Sequence, residues 1–242
     1  MTHCADIPKP IGSRDDEFPF PYERSCAASL HELQSVDEFR VTKAEFGKLS
    51  KLMQNPVPVF GSLAERHDLP LSDKVRGYYF RHKEVAASWR PLDENSEMVG
   101  EFRLSHVLTA VTQNHMDDVY DGDDVEERAL YGELRVFDDT PRTGTGRMAA
   151  LRATPGASDP EIWFHDLRDG ALRMDLDYPG YLEKLLITKG VIGWQYLYCR
   201  PEDCGMGFIP IVDGLKEMLD VFPRLFPAYD YTDLQVRLKD RL

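Results

Sequence analysis

The residues able to carry chemistry in this chain lie in a few short stretches. WFHDLRD sets His165 beside Asp166, the residue types of half a general acid–base pair. Adjacent strand side chains point to opposite faces, so the two are not placed to hydrogen-bond as a dyad. A satisfied or exposed histidine at a strand end is the expectation there, and an enzyme using His165 with Asp166 or Cys199 is the catalytic alternative. No serine occupies a G-x-S-x-G elbow. TPRTGTGRM is glycine-rich but lacks the lysine and hydroxyl pair of a phosphate loop. Its neighbours read as strands, so no helix N-terminus waits for a phosphate, and a hairpin tip is expected.

Metal chemistry finds little footing. Cys199 and Cys204 are separated by RPED, a spacing outside the common zinc patterns, and Cys4 and Cys26 supply no second pair. Free thiols are expected. NHMDDVYDGDDVEE is calcium-loop-like in composition only. With Asp117 as position 1, Val119 and Arg128 fall where ligands are required. No metal and no cofactor is implied. KGVIGWQYLY carries Trp194, Tyr196 and Tyr198 directly behind a helical stripe, where aromatics belong to a core.

Charge is the stronger signal. The 242 residues carry a formal net charge of −13, and Asp117 to Asp139 hold ten acidic and two basic residues, a local net of −8. Nucleic acid requires basic patches that neutralise phosphates, and none is present in the sequence. Anionic membrane surfaces are disfavoured on the same ground. A basic protein partner is the ligand that this field would attract and steer. The candidate contact residues are Asp117, Asp118, Asp121, Asp123, Asp124, Glu126 and Glu127.

These stretches need a scaffold, and the chain has the material for one. Hydrophobic residues make up 42% and charged residues 29%, the balance of a globular protein. No apolar run approaches the roughly 18 residues of a membrane span. The first residues, MTHCADIPKPIGSRDDEF, lack the apolar stretch of a signal peptide, so a cytoplasmic location is expected. Residues 1 to about 24 read as irregular chain within an N-terminal extension reaching residue 40. SCAASLHEL reads as a helix capped by Ser25, and TKAEFGKLSKLMQ as a helix stopping before Asn55-Pro56. LPLSDKVRGYYFRH reads as a helix capped by Ser72. KEVAASWRP, GEFRLS, GELRVFDD, RMAALRAT and the two halves of EIWFHDLRDGALRMDLD read as strands, with HVLTAVTQ as a helical turn among them. A helix begins near Asp177 and closes at Gly190, and a last one, IVDGLKEMLDVFPRLF, should kink or end at Pro223. Helices at both ends and strands between them point to an α+β domain over residues 41–242, built on a central antiparallel-rich sheet.

The order of these segments resembles the SUKH superfamily, which includes the yeast Smi/Knr cell-wall regulators and many bacterial immunity proteins. LPLSDKVRGYYF is similar to its leucine-proline helix ending in aromatics, and VGEFRLSHVLTA to the glycine-led strand and turn that follow. WFHDLRDGALRMDLDYPGYLEKLLITKGVIGWQYLY resembles the later strand, helix and tryptophan segment, whereas CRPEDCGMGFIP departs from the pattern. The resemblance covers roughly residues 40 to 242. It implies an α+β fold and a non-catalytic binding protein that inhibits a toxin or scaffolds a partner, and it carries over no contact residues. The expectation is therefore an immunity protein neutralising a basic toxin, such as a nuclease. The alternative within the same class is a scaffold for an enzyme or cell-envelope pathway.

Overall fold

The computed structural model describes residues 17–242 apart from 118 and 121. Seven strands cross one antiparallel sheet in chain order: β1 (Phe39–Phe46), β2 (Glu84–Pro91), β3 (Gly100–Ser105), β4 (Leu134–Asp139), β5 (Met148–Arg152), β6 (Ile162–Asp166) and β7 (Gly170–Arg173). Eight helices accompany it among the described residues: α1 (Pro21–Gln34), α2 (Pro56–His67), α3 (Asp73–Arg76), α4 (Val107–Gln113), α5 (Val125–Glu133), α6 (Tyr178–Thr188), α7 (Val212–Leu225) and α8 (Thr232–Lys239). The protein is α+β. None of these helices is long and apolar enough to cross a membrane.

Strand alternation sorts the side chains into two layers. Val85, Ala87, Phe102, Leu104, Ala149 and Phe164 enter the main core with the apolar stripes of α1, α2, α6, α7 and α8. The other face carries a smaller cluster of Met116, Tyr131, Leu134, Val136 and Ala150. Met148, Trp163 and Ala171 continue that cluster half-buried toward the far edge of the sheet.

The strands from β2 to β7 fall where the alternating patterns put them, and α4 and α6 likewise. Asp177 caps α6, its Oδ1 accepting from the N–H of Gly180 at 2.8 Å. Helix α6 closes through two left-handed residues, Lys189 and Gly190. A Cβ on Gly190 would lie 3.0 Å from the Glu101 carbonyl, so the close approach to β3 reinforces the need for glycine. Trp194, Tyr196 and Tyr198 are fully buried, with Trp194 tilted against Tyr181 of α6 at 4.8 Å.

Four expectations are corrected. TKAEFGKLSKLMQ is not a helix: its first half belongs to β1, paired with β2, and Lys51–Met53 makes one 3-10 turn. A partner strand some forty residues away outweighed a weak helical spacing. Asn55-Pro56, read as a stop, starts α2, with the Asn55 side chain accepting from Val57 N–H at 2.9 Å and Pro56 at the first helical position. Helix α1 begins at Pro21 rather than after Ser25, whose hydroxyl donates to the Pro21 carbonyl within the helix. α1 contributes Tyr22, Cys26, Leu30 and Leu33 to the main core. Ser72 does cap a helix, but α3 lasts only to Arg76, and Tyr79 and Phe80 enter the core from irregular chain. Helix α7 runs through Pro223 to Leu225.

Candidate protein-binding face

The acidic segment lies on the second face of the sheet, around α5. Asp124 begins that helix: its Oδ1 accepts from the N–H groups of Glu126 and Glu127, both at 2.9 Å. Its own N–H donates to the Tyr120 hydroxyl at 3.2 Å. This is an N-cap, so part of the acidic segment is a helix start. Asp117, Asp123 and Glu126 are exposed, and Glu127 is half-buried. Asp118 and Asp121 lie outside the described residues. Asp123 stands 4.0 Å from Arg128 on open surface, a pair worth little.

The segment is less negative at its surface than its composition implies. Asp138 is buried, accepting from the Tyr181 hydroxyl at 2.6 Å and from Arg103 N–H at 3.1 Å. Burial pushes its carboxyl up to about 7. Asp139 pairs with Arg103, and Glu133 with Arg152 at 2.6 Å. Among the described residues of the segment, Asp117, Asp124, Glu126 and Glu127 form no ion pair.

An apolar platform lies beneath them. Tyr120 stacks on Tyr131 with ring centroids 5.2 Å apart, and the Tyr131 ring meets the edge of His165 at 5.7 Å. Half-buried Trp163 sits on the same face, its indole N–H donating to Glu161 at 3.2 Å. Glu161 in turn pairs with Arg152 at 3.4 Å and with Arg173 at 2.9 Å. Trp163 is not among the residues that charge alone picks out. The period of two in EIWFH puts Glu161, Trp163 and His165 on one face, and that was the signal available.

The remaining stretches are accounted for by local geometry. His165 and Asp166 face apart. The histidine Nδ1 lies 3.4 Å from the Gly146 carbonyl, whereas Asp166 accepts from Arg147 Nε at 2.6 Å. Burial lowers the His165 pKa, favouring the neutral ring. TPRTGTG is a hairpin tip between β4 and β5, and the backbone N–H groups of Arg142 and Thr143 are taken by the buried carboxylate of Glu101 at 2.6 and 2.7 Å. Cys26, Cys199 and Cys204 are free thiols. Burial raises the Cys199 thiol pKa well above its ordinary value, which leaves little thiolate. Among the described residues no cluster of three or more His, Cys, Asp or Glu side chains could hold a metal. No protein-family model, curated protein or solved structure matches this chain.

Proposed function

We propose that this chain is a non-catalytic protein-binding module, and specifically an immunity protein that neutralises a basic toxin. The reading is carried by one observation: Asp117, Asp123, Asp124, Glu126 and Glu127 cluster on the sheet face that also presents half-buried Trp163, with Met148 and Ala171 beside it. A rim of uncompensated carboxylates accelerates encounter with a cationic surface. A tryptophan with an apolar flank is the type of side chain that anchors the centre of an interface. Inhibition follows by occlusion, with the carboxylates standing where a nuclease would take phosphates. The SUKH-like order of segments supports the same class of function.

The test is binding to a basic toxin domain, taken from a neighbouring gene where one is encoded, measured by calorimetry and stopped-flow. A variant with Asp117→Asn, Asp123→Asn, Glu126→Gln and Glu127→Gln keeps the Asp124 cap. It should associate at least about tenfold more slowly at low salt, with the deficit shrinking at high salt. Unchanged association would refute the electrostatic account. Failure of the toxin domain to bind, with capture of a non-toxin enzyme instead, would favour the scaffold alternative.

A further inference from the structure

Antiparallel strand order brings the β2–β3, β4–β5 and β6–β7 connections to one end of the sheet. With residues 191–192 and 210–214 they enclose a cavity of about 470 Å³, within the range of small-molecule sites. Its walls are apolar at Val99, Leu167, Val191, Ile192 and Ile211. Its polar groups include Arg147 and Arg168.

Arg147 is the distinctive group. Its side chain is only 10% exposed, and its Nε donates to Asp166 at 2.6 Å while Nη2 donates to the Gly207 carbonyl at 3.2 Å. The third nitrogen, Nη1, has no partner among the described residues, and Arg147 lines the cavity. Its support is rigid. Asp166 is itself held by the N–H of Arg168 at 2.9 Å. Asp169 accepts from Tyr196 hydroxyl at 2.8 Å and from Gly207 N–H at 3.1 Å. A Cβ on Gly207 would stand 2.0 Å from that hydroxyl, so only glycine lets this loop reach the guanidinium. Arg168, exposed and lining the same cavity, makes no side-chain hydrogen bond or ion pair among the described residues.

A larger groove of about 640 Å³ beside α8 offers less. There Arg237 is paired with Asp175 and Asp233, and Arg241 donates to the carbonyls of Tyr196, Arg237 and Cys199.

We propose that the cavity around Arg147 binds a small monocarboxylate with an apolar body. The remaining nitrogen of this fixed guanidinium, Nη1, can donate a charge-assisted hydrogen bond to an oxygen acceptor, of which a carboxylate is the strongest common kind. Asp166, Asp169 and Glu97 nearby disfavour a doubly charged phosphate. The aliphatic walls accept the remainder of the ligand, and preorganisation of Arg147 removes an ordering cost from binding. This site does not depend on the protein-binding face.

The probe is 4-phenylbutanoate, titrated into the full chain by calorimetry and by ¹H–¹⁵N NMR. Saturable binding is expected, with shifts centred on the amides of residues 143–147, 166–168 and 191–192. The neutral analogue 4-phenylbutanamide should bind about tenfold more weakly or worse. Arg147→Lys keeps a cation against Asp166 but removes the Nη1 donor, and Arg168→Ala leaves the buried pair untouched. Each should weaken the carboxylate about tenfold with the melting temperature held. Absence of saturable binding, equal affinity for the amide, shifts centred elsewhere, or wild-type affinity in both variants would overturn the proposal.

Discussion

Replacing Asp138 with asparagine should make the protein more stable at pH 8 and less responsive to pH. The carboxyl is 3% exposed and receives two hydrogen bonds, from Tyr181 hydroxyl and Arg103 N–H. Burial, with a smaller contribution from neighbouring Asp139, raises its pKa from 3.8 to about 7 in the folded state. Between those values the native protein holds a proton that the unfolded chain has released. Stability therefore falls as pH rises through that window and levels off above it. The gap corresponds to on the order of 4 kcal/mol between the two plateaus. Asparagine cannot ionise, so it escapes this loss. At pH 4, where wild type keeps its proton, the two proteins should be near parity, and at pH 8 the asparagine variant should be more stable by about 4 kcal/mol. Urea denaturation followed by the fluorescence of Trp89, Trp163 and Trp194, at intervals from pH 4 to 8, measures both quantities. Parallel pH profiles for the two proteins, or an asparagine variant no more stable at pH 8, would refute the reasoning.

Two further substitutions test the scaffold. Asp124→Ala removes the cap from α5 and should cost about 1 kcal/mol, while Asp124→Asn should cost little, both read from urea midpoints. Lys189 is fully buried, with its ammonium on Ser29 at 2.9 Å, on Glu32 at 2.5 Å and on Tyr229 at 3.2 Å. Lys189→Ala should cost about 3 kcal/mol or more, and adding Glu32→Gln should cost less than the sum of the single effects, as a double-mutant cycle will show.

The elements that were legible in sequence are those whose signal is local. Asp177 with Pro179 early in the first turn marks a helix start regardless of surroundings, and Gly190 marks its end. The alternation in EVAASWRP and GEFRLS states which residues face a core, and Trp89 and Phe102 are buried as that pattern requires. β1 was illegible because a strand is defined by its partner. Phe39–Phe46 becomes one only by pairing with Glu84–Pro91. Helix α5 was hidden inside a run of acids whose charge distracted from Asp124 as a cap. Likewise the sequence shows no trace of Glu101 filling the hairpin tip, since the two are joined only across the sheet.

The amino-acid sequence determined by itself the α+β composition, the strand alternation from β2 to β7, and the presence of an unbalanced acidic segment. Which of those acids face solvent was decided only by tertiary structure. Strict alternation from Leu134 and Val136 would put Asp138 on the same face as α5. The ladder between β4 and β5 slips between Val136 and Asp138, and this bulge turns the carboxyl toward Tyr181 instead. A bulge exists only where two strands pair unequally, so residue spacing within one strand does not encode it.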